Sequence, residues 1–422
     1  MWLRLAACAA FLVVPVAYAQ TGTAPSSTLS LDDAIARVAT THPDLRIFDG
    51  RRQVLDANLA SAALKPPMTL GATIENTLGT GNYRGFSEAE LTVTLAGVIE
   101  RGGKLNARQA LALANIDTLA PQREMARLDL LAETARRYLA VTAATKRKSI
   151  AELDIVQRRR AVDAARTRLT AGASPESVVL TAQAALATAE LDRDRAIADE
   201  AATRQNLAAL WNERTPSFTV AAGNPLVLPE LQSFNALSDY LQNTPELAEL
   251  AGVERVREAQ LRLARTQATP DLQWQAGGRY NRSTSDVGFM AGISIPLGSA
   301  RRAAPGIRAA EAELAMTPIE RESLRIDLYS ALTNAYGNYS TARLEVGRLR
   351  TDVIPRLEKA EKAAEYAWKA GAISYLEWSQ LQAQRVEASV RQLQVAVDAQ
   401  AALIEIQRLT GQPIVASGTT TP

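Results

Sequence analysis

Four short segments of the chain alternate between apolar and polar residues, and most of the rest is periodic at helical spacing. In MTLGATIENT (68–77), Met68, Leu70, Ala72 and Ile74 share one face, while Thr69, Gly71, Thr73 and Glu75 share the other. EAELTVTLAG (88–97) sets Ala89, Leu91, Val93 and Leu95 against Glu88, Glu90, Thr92 and Thr94. Further on, DLQWQAGGRYN (271–281) carries Leu272, Trp274, Ala276 and Tyr280 on one side, and DVGFMAGISIPL (286–297) carries Val287, Phe289, Ala291, Ile293 and Ile295. A period of two predicts strands, each close to the ~9–11 residues of a tilted membrane-crossing strand. The polar loops LGTGNYRGFS and RSTS join them in pairs, so two hairpins are expected, 68–97 and 271–297. Alternation by itself fits equally two hairpins resting on a helical core.

The helical pattern is long and sparsely broken. Neither Gly nor Pro occurs from Gln122 to Ala171, or from Glu176 to Thr215. The break between them, RLTAGASPES (168–177), returns as WKAGAISYLE (368–377), with Gly172 and Gly371 lying 199 positions apart. Glycine can take φ > 0 at a helix C-terminus. Pro175 suits the first helical position after Ser174, and Ser374 with Glu377 reads as a capping box. The incoming helix measures roughly 75 Å and the outgoing Pro175–Trp211 roughly 55 Å at ~1.5 Å per residue. In the last run, Val386, Val390, Leu393 and Val397 form one seam, and Val395, Ala399, Ala402, Ile406 and Leu409 another. Two seams imply two packed neighbours, leaving Arg391, Gln392, Asp398 and Gln400 for solvent. Pro121, Pro318 and Pro355 are expected to kink or interrupt their helices, and KRK (146–148) and RRR (158–160) to be solvated faces.

The whole pattern is written twice. THPDLRIFDGRRQVLDANLASA (41–62) is echoed by NTPELAELAGVERVREAQLRLA (243–264), and TLAGVIERGGKLNARQALALA (94–114) by SIPLGSARRAAPGIRAAEAELA (294–315). A repeat of this length is a duplicated unit, not a solenoid array. The expected organisation is a first repeat over 20–211 with its helical tip near 170–175, a Pro/Gly-rich linker over 212–233, and a second repeat over 234–411 with its tip near 369–374. A tail, 412–422, follows. The first repeat opens on LSLDDAIARVATTHPDL, with Ser30 as N-cap and an interruption at His42-Pro43. The fold class expected is mainly α with a small β part: duplicated long helical hairpins forming a coiled-coil-like tunnel, plus four membrane strands per chain.

Strand number bears on assembly. Four strands cannot close a barrel, and open edges are intolerable in lipid. Eight strands from two chains would fill their own lumen with side chains. Twelve from three chains leave room for a pore, so strands in a membrane imply a trimer.

Composition narrows the chemistry. Hydrophobic residues make up 47% and aromatics 5%, spread through Ala-rich helices with no obvious compact core, and the net charge of +2 implies no polyanion such as nucleic acid as partner. Arg4, the apolar Leu5–Val16 and Ala17-Tyr18-Ala19 read as an export signal over 1–19. LAAC ending at Cys8 leaves seven residues before it, too few for a lipoprotein leader. Cys8 is the only cysteine, so the exported chain has no disulfide or thiolate chemistry. No later run reaches the ~18 apolar residues of a membrane helix. The single histidine, His42, sits in a helix break; no nucleotide loop, nucleophile elbow or zinc ligand set is present, so no enzyme, cofactor or metal site is expected.

The opening LSLDDAIARVATTHPDL, two hairpins, and long helices turning at RLTAGAS and KAGAIS resemble, over nearly the whole exported chain, the TolC family of outer-membrane efflux proteins. VIERGGKLNARQALALA is most similar to the CzcC-type branch, which serves heavy-metal resistance-nodulation-division pumps. The resemblance implies a homotrimer in the outer membrane of a Gram-negative bacterium, its twelve-stranded barrel continued by a twelve-helix periplasmic tunnel. The membrane-facing strand residues would be Leu70, Ile74, Leu91, Val93, Trp274, Tyr280, Phe289 and Ile293. The closed periplasmic end would open when an adaptor and an inner-membrane pump dock, the adaptor meeting Arg168, Gly172, Ala173, Ser174, Gly371, Ala372, Ile373 and Ser374. Acidic rings of the family fall six and nine residues after the second-tip glycine, here Glu377 and Gln380. Glu377 is the pore-gate candidate, a role that competes with capping. Val178 stands where the family has an acid, and Ile373 where it has a base. Two other readings are a periplasmic helical scaffold or adaptor without a pore, and the outer-membrane duct of a protein-secretion system.

Overall fold

The computed structural model describes residues 28–221 and 223–414. The export signal with Cys8, and most of the expected tail, lie outside the described residues. The chain begins with β1 (Thr28–Leu29), α1 (Leu31–Thr41) and α2 (Pro43–Ala62). Ser30 caps α1 through a reciprocal box with Asp33. His42 ends α1 and starts α2, its Nδ1 accepting the Asp44 N–H at 3.2 Å, which is a structural use of the lone imidazole.

β2 (Thr69–Glu75) and β3 (Glu90–Ile99) follow, then α3 (Lys104–Asp117), α4 (Leu119–Thr170) and α5 (Glu176–Ala208). The linker contributes β4 (Thr219–Val220), parallel to β1, and the short α6 (Phe234–Tyr240). The second half then repeats the order: α7 (Pro245–Thr266), β5 (Leu272–Asn281), β6 (Asp286–Ser294), α8 (Ser299–Arg348), α9 (Ile354–Lys369) and α10 (Tyr375–Thr410).

The hairpins join into one antiparallel sheet, ordered β2-β3-β5-β6. All four strands continue at the same end into helices, and these helices pack in the matching order α2–α3–α7–α8. Below them the long helices form a second wall, ordered α5–α4–α10 with α8 and α9 beyond. At about 1.5 Å per residue, the 52 residues of α4 reach ~78 Å. The described residues form no single compact core. Burial is split between a cluster where α1 and the linker cross α4, a second among α6, α8 and α10, and a third at the tips.

Several sequence expectations are refined. Pro121 lies just after the junction at Thr118, where it has no N–H to offer the Asp117 carbonyl. Pro355 sits in the first turn of α9 after a π-turn over Leu349–Val353. Pro318, by contrast, leaves α8 uninterrupted: α7 is tied to this stretch, with Arg257 donating to Thr317 Oγ1 at 2.9 Å and pairing with Glu320 at 2.6 Å. Pro175 is the N-cap of α5 and not its first helical residue. Gln392 and Gln400 are buried, not solvated; at Gln400 the linker straps across α10, and the Gln400 amide donates to the Val227 carbonyl at 2.9 Å. Within RRR, Arg158 is buried beside Asp154.

Candidate functional site at the helical tips

Both hairpin tips are built the same way. At the first, Gly172 takes φ +70°, its N–H donates to Leu169 O, and Ala173 N–H donates to Arg168 O, each at 2.9 Å. At the second, Gly371 takes φ +82°, with bonds from Gly371 to Trp368 O and from Ala372 to Ala367 O, also at 2.9 Å. This paired pattern is the Schellman ending, which needs a residue free to adopt the left-handed region. The restart differs. Pro175 offers no side-chain cap, whereas Ser374 Oγ accepts the Glu377 N–H at 3.3 Å and Glu377 Oε2 accepts the Ser374 N–H at 2.8 Å. Ser374→Ala should cost about 1 kcal/mol, read as faster amide exchange over the first turn of α10. Unchanged exchange there would remove the capping role.

The two tips are fastened to each other. Arg168 of the first donates through Nη1 to the Trp368 carbonyl of the second, and its guanidinium lies over the Trp368 ring, 5.2 Å from the centroid. Its other nitrogen, Nη2, donates to Ala173 O at 3.3 Å. Trp368 stacks on Trp378 with centroids 4.9 Å apart, and Tyr375 meets both edge-on at 6.0 Å. Ala161, Val162, Ala165, Val179 and Ala182 of the first hairpin close this aromatic trio from the other side. Burial pushes the Tyr375 hydroxyl above its ordinary pKa. Sequence reading missed the trio. Its signal was available: two of the five tryptophans flank Gly371 within ten residues.

Above the trio runs a buried polar layer. Arg158 bonds to Asp154 Oδ1 at 3.2 Å and to Gln382 Oε1 at 3.3 Å, and Arg385 pairs with Glu361. Desolvation raises the Asp154 pKa against the pull of Arg158. These pairs tie α4 and α9 to α10, so separating the hairpins would expose or orphan buried charge.

At the opposite end the sheet has one continuous apolar face. Register sets Ile74 beside Leu91, Leu91 beside Tyr280 and Tyr280 beside Val287; one row along, Val93, Gly278 and Phe289 align. Nearer the helices, Leu70 aligns with Leu95, and Trp274 with Ile293. All eight expected membrane-facing residues therefore share this face, and Phe289 is 93% and Leu70 77% exposed. The other face is polar. Arg279 lies between Glu90 at 3.3 Å and Glu75 at 3.9 Å and donates to Thr92 Oγ1 at 3.1 Å.

The chain matches the outer membrane efflux protein family over residues 36–213 and 236–412, one stretch for each run of the repeated element order. It belongs to that family. It is an outer-membrane export duct and not an enzyme, with its long helices on the periplasmic side. Among relatives, the cobalt-zinc-cadmium resistance protein CzcC of Cupriavidus metallidurans is 26% identical, covering 98% of this chain and 99% of its own. The nickel-cobalt-cadmium resistance protein NccC of Alcaligenes xylosoxydans is 25% identical over 79% of this chain and 75% of its own. Among solved structures, the fold is similar to the channel CusC, with a TM-score of 0.75 at 16% identity, covering 91% of this chain and 92% of that one. It is also similar to the outer-membrane channel OprN, with a TM-score of 0.74 at 18% identity and coverage of 91% and 90%.

Within this efflux family member, Val178 and Ile373 both pack against the tip cluster. These two residues, one from each tip, thus add to one apolar cluster. Glu377 is exposed and commits only Oε2 to the cap, leaving Oε1 free for other contacts, so capping and lining a constriction are compatible. No helix among the described residues is long and apolar enough to cross a membrane. No group of three or more His, Cys, Asp or Glu among them is placed to hold a metal.

Proposed function

We propose that three copies of the chain close a twelve-stranded barrel through the outer membrane and a helical tunnel beneath it. The observation that carries this reading is the sheet: four strands, one wholly apolar exposed face, and two unpaired edges, β2 and β6. An edge in lipid leaves backbone groups unsatisfied at several kcal/mol each, so further copies must pair it. The outer helices of the lower wall support the same arrangement. Leu180, Leu191 and Ile197 are exposed on α5, as are Ile326 and Tyr329 on α8. Extraction in mild detergent followed by native mass spectrometry should return a trimer; a monomer, or recovery in the soluble periplasm, would defeat the channel reading.

The tips are the docking and opening point for a periplasmic adaptor, behind which an inner-membrane pump of the resistance-nodulation-division type supplies the cargo. The cargo is a heavy-metal cation, a reading supported by the metal-resistance relatives at 25–26% identity along most of their length. Loss of the protein should sensitise cells to divalent cobalt, zinc or cadmium and not to organic toxicants; the reverse pattern would reassign the substrate.

Closure of the tip rests on apolar packing of Val178 and Ile373 against the tip cluster that holds the aromatic trio, with a single acidic ring at Glu377. Three carboxylates around a constriction attract cations. Glu377→Gln keeps the hydrogen-bonding role at the third helical position while removing the charge. It is expected to weaken block by multivalent cations in planar-bilayer recordings. Unchanged block would leave Glu377 as a cap alone.

A further inference from the structure

At the end of the sheet where all four strands pass into helices, the apolar face stops in a band of free cations. Lys65 precedes β2, Arg101 follows β3, and Arg301 and Arg302 open α8 just beyond β6. All four are exposed, and their side chains have no ion pair or hydrogen bond among the described residues. This contrasts with a chain in which most arginines are paired. The carboxylates at this level are already taken: Asp271 by the buried Lys104 at 2.7 Å, and Glu100 by Arg108. Register extends this match, since Leu272 pairs with Ile99 and the Arg101 N–H donates to Asp271. Arg101 also continues the parity of Leu95, Gly97 and Ile99, the membrane-facing side of β3. Beside these cations Leu297 is 96% and Leu64 68% exposed. Arg302 lines an open cleft of about 450 Å³ with Thr269, Pro270 and Ser299.

We infer that this band binds the phosphates of anionic glycerophospholipids in the inner leaflet of the outer membrane, with Leu64 and Leu297 against the first acyl carbons. The proposal rests on the membrane reading of the sheet and adds its lipid specificity. Unpaired cations at the foot of an apolar face meet the requirement that charge near a bilayer be answered by the headgroup, and guanidinium matches phosphate geometry. What sets these cations apart is their place, beside an exposed apolar ledge at the end of the sheet, which fits a lipid.

The test is retention of added lipid by the full-length protein in mild detergent, read by native mass spectrometry, with phosphatidylglycerol and phosphatidylcholine as probes. Phosphatidylglycerol should be retained on the order of tenfold better, and 1 M salt should erase the preference. Changing Lys65, Arg101, Arg301 and Arg302 together to Gln should abolish it, whereas changing the three arginines to Lys should preserve it. Equal retention of both lipids, or a preference that survives the fourfold Gln variant, would overturn the proposal. Insertion into vesicles of each composition separates the two levels: entry into neither defeats the channel reading, while entry into both without preference defeats only the lipid site.

Discussion

Gly277→Ala is expected to abolish outer-membrane assembly, while the same change at the neighbouring Gly278 leaves it intact. A Cβ on Gly277 would lie 2.3 Å from the Val93 carbonyl oxygen and 3.0 Å from the Thr94 Cα, both fixed backbone atoms. Relief requires the β3–β5 ladder to open, and that ladder joins the two repeats within the sheet. A Cβ on Gly278 meets only the Gly288 carbonyl at 3.9 Å. Overpacking of a well-fitted site costs about 1–3 kcal/mol where side chains can adjust, and here the obstacle is backbone, so the upper part of that range is the least expected. The readout is the yield of oligomer in detergent extracts of outer membranes, run on native gels beside Gly278→Ala. Equal yields from the two variants would show that the seam tolerates what the geometry forbids.

That contrast also marks what the sequence could convey. Strand positions, faces and both tips were legible because each rests on a local rule: period two in 88–97 and 271–281, glycine after a long uninterrupted helix, and serine three residues before glutamate. Adjacent Gly277 and Gly278 look alike in one dimension, and only cross-strand register distinguishes them. Gln392 and Gln400 failed for a related reason. Helical spacing placed them on the outer face of α10, and nothing local says that a linker some 170 residues earlier crosses the helix at Gln400. For Arg168 the sequence suggested only a docking role, and no local rule announces that its bonds also run within the chain, from the first tip to the Trp368 carbonyl of the second. The aromatic trio was hidden differently. Trp368, Tyr375 and Trp378 straddle a turn, so no single helical period contains them.

Trp368→Ala should leave the periplasmic end of the duct open. The ring is 3% exposed and touches every part of the clasp: it stacks on Trp378, takes Tyr375 edge-on and lies under the Arg168 guanidinium. Truncating a buried Trp costs about 3–5 kcal/mol, larger than the ~1–2 kcal/mol expected when Arg168→Ala removes a partly buried cation–π contact. If apolar packing at the tip holds the closed state, that cost falls on closure and not on the four-stranded sheet, which lies at the opposite end of the molecule from the tips. Single-channel conductance in planar bilayers should then rise strongly for Trp368→Ala, modestly for Arg168→Ala, and little for Trp368→Phe, which keeps a ring in the site. Oligomer yield should be unchanged in all three. A variant with intact oligomer, lost amide protection around Gly371 and wild-type conductance would separate the clasp from the gate. In that case the constriction would have to be sought elsewhere, with the buried Arg158–Asp154 and Arg385–Glu361 layer as the next element to break.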